Sequence, residues 1–237
     1  MSAVVQTLVS FPPWTAWFPK SSDLAYYWKL DETSGTSIAD SKGSNTGTLT
    51  GASVNQTWKI SKAVLFGWAD DNRIVFTNWR PVRNFSVNFW IKNNSDVGNR
   101  ILSEFNAQAT NGGWIIDAWD SSWFGRFWRY SGWFSYLTTT GTGNNWYNGW
   151  GWRMITCTRS TDTSKIYVDG VETNTVTSWG DITYDSTDVF SMGAFYNNWP
   201  YGQCVKAYLD EVGCWNAVLS STDITTLYNA WAGLTYP

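Results

Sequence analysis

Carboxylates are the first side chains in this sequence whose spacing bears on chemistry. Glycoside hydrolysis needs an acid and a second carboxylate facing one bond, about 5 to 5.5 Å apart when the second acts as nucleophile. Asp117 and Asp120 lie three residues apart, so an unbroken strand sends them to opposite faces, and Glu104 has no acidic neighbour two residues away. Asp31–Glu32 and Asp210–Glu211 are adjacent pairs with the same defect. The chain contains no histidine, which removes imidazole as base, acid or metal ligand. Cys157, Cys204 and Cys214 are odd in number and at no metal-ligand spacing, so they read as small buried hydrophobes. No catalytic residue is assigned, and the sequence reads as that of a non-enzyme.

Tryptophan is what the chain has in excess, with 19 Trp, 12 Tyr and 12 Phe against only 15% charged residues. Residues 114–152 alone hold eight Trp, three Phe and three Tyr, twice the aromatic density of the whole chain. An indole fills a core, or it offers a flat apolar face with a polar edge on which a sugar ring stacks. Strand alternation over this stretch puts rings on both faces, and only one face can be core. Trp119, Trp123, Trp128, Trp133, Trp146 and Trp150 are therefore the candidate carbohydrate-binding residues, and a glycan or polysaccharide is the partner they imply. The competing reading puts the same rings in the core or in a subunit interface.

Composition excludes other partners. The net charge is -3 and the 16 basic residues are spread thinly, so no patch exists to neutralise a phosphate backbone and nucleic acid is not expected. No run of about 18 apolar residues occurs, so membrane insertion is not expected either. Residues 1–11 lack the basic start, unbroken apolar stretch and small-residue cleavage site of a signal peptide. A virion surface or other extracellular assembly, reached by assembly, is the location this reading favours.

These residues need elements to hold them. Turn signals recur about every eight to twelve residues between alternating segments, the pattern of an antiparallel sandwich. Phe85 to Lys92 is the clearest, with Phe85, Val87, Phe89 and Ile91 on one face and Ser86, Asn88, Trp90 and Lys92 on the other. Further strands are expected at 24–30, 64–66, 73–76, 100–105, 114–119, 125–130, 133–137, 152–159, 165–168, 190–194 and 205–215. Asp169-Gly170 accepts positive φ at both central positions of a type I′ turn, which predicts a hairpin. One short helix is expected over 220–229, with Ser220 or Ser221 as N-cap, Asp223 in the first turn, and Leu219, Ile224 and Leu227 sharing a face. Residues 1–23 carry Pro12, Pro13, Pro19, Trp14, Trp17 and Phe18 with no charge before Lys20, and read as an apolar N-terminal arm that docks on its own domain or on a second copy. Residues 24–237 read as one domain.

Four blocks carry a resemblance. Tyr27-Trp-Lys-Leu-Asp-Glu-Thr-Ser-Gly35 with Asp40 to Gly43 and Gly47 to Leu49 is the first; Lys62 to Phe66, Asp70-Asp71 and Phe85 to Ile91 form the second. Trp152 to Arg159 with Tyr167-Val-Asp-Gly170 is the third, and Met192-Gly193, Leu209-Asp-Glu-Val212, Trp215, Leu219-Ser220 and Leu227-Tyr228 close the pattern. In order and content they resemble LamG-like modules of the concanavalin A-like lectin/glucanase superfamily, found in adhesion proteins and tailed-phage structural proteins. The usual His after the central Trp is replaced here by Arg153 and Met154.

The resemblance implies an all-β, antiparallel jelly-roll β-sandwich with one short C-terminal helix. Glycosidases of related fold use an E-x-D-x-x-E strand that is missing here. Many superfamily members hold a structural Ca²⁺ with an Asp of the final strand, and Asp210 is the matching metal candidate; the other reading has Asp31 and Asp210 bonding backbone amides. Fold alone does not fix function. The reading favoured is a non-catalytic, surface-displayed module that binds glycans and self-associates through the arm. A purely structural decoration or fibre subunit is the alternative, and a polysaccharide hydrolase the third.

Overall fold

The computed structural model describes residues 18–56, 59–67, 71–93, 100–106, 112–119, 124–130, 134–138, 151–161, 163–177, 181–194 and 204–237. Alternation and turn residues resolve into β1 (Leu24–Trp28), β2 (Ser37–Ile38), β3 (Gly47–Thr50), β4 (Ser53–Gln56), β5 (Ala63–Phe66), β6 (Arg73–Phe76), β7 (Phe85–Asn93) and β8 (Arg100–Phe105). They continue as β9 (Trp114–Trp119), β10 (Phe124–Tyr130), β11 (Phe134–Thr138), β12 (Trp152–Arg159), β13 (Thr163–Val168), β14 (Val171–Thr177), β15 (Val189–Met192) and β16 (Ala207–Trp215), followed by α1 (Ser221–Tyr228). Two antiparallel sheets result, as the resemblance implies. The first runs β14-β13-β12-β7-β16-β5-β4 with β1 also paired to β16; the second runs β11-β10-β9-β8-β15-β6-β3-β2.

The space between the sheets is filled from both sides. Val87, Phe89, Ile91, Ile155 and Leu209 of the first sheet meet Ile74, Phe76, Trp114, Ile116, Phe127 and Phe190 of the second. Burying such side chains is the main favourable term in folding, roughly 1.5–3 kcal/mol each. β7 departs from the expected polar outer face. Ser86, Asn88 and Trp90 are buried as well, because the outer face of the first sheet carries a second core of Tyr27, Trp90, Met154, Tyr167 and Trp215 under Leu219, Ile224 and Leu227. The polar members are satisfied: Asn88 donates to Thr156 Oγ1 at 2.7 Å.

Local chemistry explains the covering helix. Ser220 caps α1 through a capping box with Asp223, and Asn229 closes it in the left-handed conformation. The Asp169-Gly170 turn has φ of 51° and 83°, the signs a type I′ hairpin demands, and joins β13 to β14. Phe18 of the expected arm stacks on Trp215 at 6.0 Å and meets Tyr27 and Tyr236 edge-on, while Trp215 Nε1 donates to Pro19 O at 3.0 Å. Residues 18–23 thus lie against the first sheet, and the rest of the arm, 1–17, lies outside the described residues. All three cysteines are buried.

Candidate functional site

β8, β9 and β10 lie side by side in the second sheet and carry part of the aromatic-rich segment. Even spacing sets Ile115 and Asp117 of β9, and Arg126 and Trp128 of β10, on one face. The ladder then places Arg126 opposite Asp117 and Trp128 opposite Ile115. A bulge in β8 brings Arg100 across Asp117 from the other side.

Asp117 is fully buried and is the hub of the cluster. Arg126 grips it with two parallel bonds, Nε to Oδ1 and Nη2 to Oδ2, each 2.7 Å. Arg100 Nη1 and Trp128 Nε1 also donate to Oδ2, the latter at 3.0 Å. The two guanidinium carbons lie 5.3 and 5.8 Å from the Trp128 ring centre, and Phe105 packs on the same indole at 6.0 Å. A carboxylate held by three donors in a dry environment is fixed in position and orientation.

Of the six tryptophans singled out in the sequence, Trp128 stands in this cluster with only 5% of its surface exposed, as the wall of the hub rather than an open platform. Trp119 is on β9 opposite Phe124, with its side chain outside the described residues. Trp123, Trp133, Trp146 and Trp150 lie outside them altogether. Sequence reasoning missed Arg100 and Arg126. Arg126, two residues from Trp128, could have been found by face; Arg100 could not, since only the ladder register brings it to Asp117.

Glu104 points the other way. It shares register with Trp114 and Phe190 on the inner side of the second sheet, where it accepts from the amides of Trp79 at 3.2 Å and Arg80 at 2.7 Å. Burial pushes its carboxyl up to about 7, tempered by those two amides and the Arg80 guanidinium. Asp117 and Glu104 are therefore on opposite faces of one sheet and do not form a pair across a common bond.

The acids of the first and last strands do gather, since β1 pairs β16 with Trp28 opposite Val212. Asp210 Oδ2 accepts from the amides of Lys59 at 3.0 Å and Ile60 at 2.8 Å, and Asp31 Oδ1 from Lys62 N at 2.7 Å. Burial first, and the charge of Glu211 second, push the Asp210 carboxyl up to about 9. Burial likewise raises Glu211 to about 8, although it accepts from Tyr27 Oη. Calcium needs six to eight oxygens. Asp210 Oδ1 is buried without a hydrogen-bond partner, yet no group of three or more His, Cys, Asp or Glu among the described residues could hold a metal ion. The described residues at Asp210 do not fit the ion.

Solved structures share this architecture. Domain 4 of AbnA, an extracellular arabinanase of Geobacillus stearothermophilus solved with arabinotriose, superposes with a TM-score of 0.67 at 18% identity, over 86% of this chain and 97% of that domain. The botulinum neurotoxin serotype D ligand-binding domain, solved with N-acetylneuraminic acid, gives 0.67 at 14% identity over 90% of this chain. The botulinum neurotoxin DC binding domain, solved with rat synaptotagmin II, gives 0.67 at 16% over 89%. The chain spans about half of each toxin domain, 54% and 52%. No curated protein sequence matches the chain. At these identities the likeness is one of fold. With the motif order and both sheets in agreement, and the family model matching residues 68–225, the chain belongs to the concanavalin A-like lectin/glucanases superfamily.

Proposed function

We propose that this chain is a non-catalytic carbohydrate-binding module whose saccharide site lies on the outer face of β8–β10. The observation that carries the reading is the Asp117 hub: both carboxylate oxygens are occupied by Arg100, Arg126 and Trp128, so the acid at the centre of that face fixes a rigid floor. A site held this way loses little freedom on binding. Glu104, the other buried acid of β8–β9, faces inward, which supports binding without hydrolysis. Two structures of the same fold hold sugars, arabinotriose and N-acetylneuraminic acid.

Burial of Trp128 favours a second reading, a structural subunit with no sugar site. Trp123→Ala and Trp133→Ala separate the two. The binding reading expects each to weaken glycan affinity at least tenfold, about 1.4 kcal/mol, with Tm nearly unchanged. A large fall in Tm with unaltered glycan response supports the structural subunit instead. Reducing-sugar release that is lost in Asp117→Asn or Glu104→Gln would overturn the non-catalytic assignment.

A further inference from the structure

α1 and the C-terminal residues cover the second core on the outer face of the first sheet, and one ring among them stays open to solvent. Trp231 keeps 41% of its surface in solvent, and among the described residues the other exposed large hydrophobics are Val82 and Val171. The backbone that presents it is unusual. Asn229, Ala230 and Trp231 take φ of 47°, 48° and 78° in succession, the left-handed region that is unfavourable for any residue with a Cβ. One such residue, Asn229, suffices to end α1, and its N–H already bonds Thr225 O. Ala230 and Trp231 continue in the same region. Gly233, at φ 79°, completes the turn where a Cβ would come within 2.6 Å of Ile60.

The ring is also fixed before any ligand arrives. Lys59 Nζ lies 4.4 Å from the Trp90 ring centre and 4.5 Å from that of Trp231, and donates to Trp231 O. Trp231 stands edge-on to Trp90 at 5.6 Å and to Tyr228 at 6.2 Å. Tyr228 in turn abuts the Asp169-Gly170 turn, where Asp169 pairs with the half-exposed Arg153.

We infer that Trp231 is a second saccharide-stacking platform, over the opposite sheet from the Asp117 hub, bordered by Tyr228 and Lys59. The ligand class rests on the carbohydrate-binding reading above; the residues do not. A single preorganised indole with a charged and hydroxylic border matches the apolar face and hydroxyl rim of one sugar ring.

The test uses the full chain on a printed glycan array, with wild type beside Trp231→Ala, and N-bromosuccinimide oxidation of wild type mapped by mass spectrometry. A subset of bound glycans should lose at least tenfold in apparent affinity in Trp231→Ala, and the same glycans should slow oxidation of Trp231 severalfold. The oxidation experiment needs no variant, so it decides the matter even if Trp231→Ala folds poorly. Glycans that bind but leave Trp231 oxidation unchanged overturn this inference and leave the carbohydrate-binding reading standing. An array on which wild type binds nothing overturns both.

Discussion

Replacing Asp117 by Asn keeps the shape of the hub and removes its charge. Arg100 and Arg126 are each only 11% exposed at the side chain and bond the same oxygen, so the substitution leaves two guanidinium groups facing each other in a poorly hydrated place. Removing one member of a buried ion pair costs about 3–5 kcal/mol. In a domain of this size each kcal/mol corresponds to roughly 2–4 °C, so Tm should fall by roughly 10 °C. Arg83–Asp181 supplies the control. It is also bidentate, but its side chains are 57% and 40% exposed, and an exposed pair contributes about 1 kcal/mol or less. Thermal melts of wild type, Asp117→Asn and Asp181→Asn at pH 7, in low and high salt, make the comparison. The Asp117 effect should persist in high salt and be partly recovered by adding Arg126→Met. If Asp117→Asn falls no further than Asp181→Asn, the hub does not hold β8–β10 together and the rigid-floor argument fails.

Glu104→Gln tests the inward acid. Because burial raises its folded carboxyl to about 7 from an ordinary 4.5, its contribution to stability is full below pH 4.5 and is lost as pH rises through 7. Across that window wild type should lose several degrees of Tm relative to Glu104→Gln, and parallel pH profiles would contradict the cause assigned. Chelation with EDTA should leave Tm unchanged, since Asp210 Oδ2 is engaged by the amides of residues 59 and 60 and no oxygen cage surrounds it among the described residues; a fall reversed by calcium would refute this. Removing residues 1–17 while retaining Phe18 tests self-association by the arm. Light scattering should show an oligomer become a monomer, and an unchanged mass would remove the arm as an assembly element.

Much of the fold was legible because its signals are local. β6, β8, β9 and β12 begin and end where alternation predicts, and α1 follows from Ser220 and Asp223. β2 escaped because two residues carry no period, and β3 and β4 because Gly-Thr-Leu-Thr and Ser-Val-Asn-Gln each hold one large apolar residue against the three of the equally short β6. The second core was hidden for another reason: Trp90 alternates with inner-face residues and so reads as outward, and only α1, more than 100 residues downstream, turns that outside into an interior. The hub was half visible, since Asp117, Arg126 and Trp128 declare a common face once β9 and β10 are drawn. Arg100 entered through the β8 bulge, a register property that no local window contains. Trp231 was overlooked because its setting depends on three left-handed residues after a helix and a lysine from a distant loop.

The most direct test of the account is saturable glycan binding by the purified full chain, read on the array with the bound glycans then recovered and sized. The account predicts a restricted set of bound glycans, recovered at their original length. Binding to none of them, or recovery of shortened products, would contradict it.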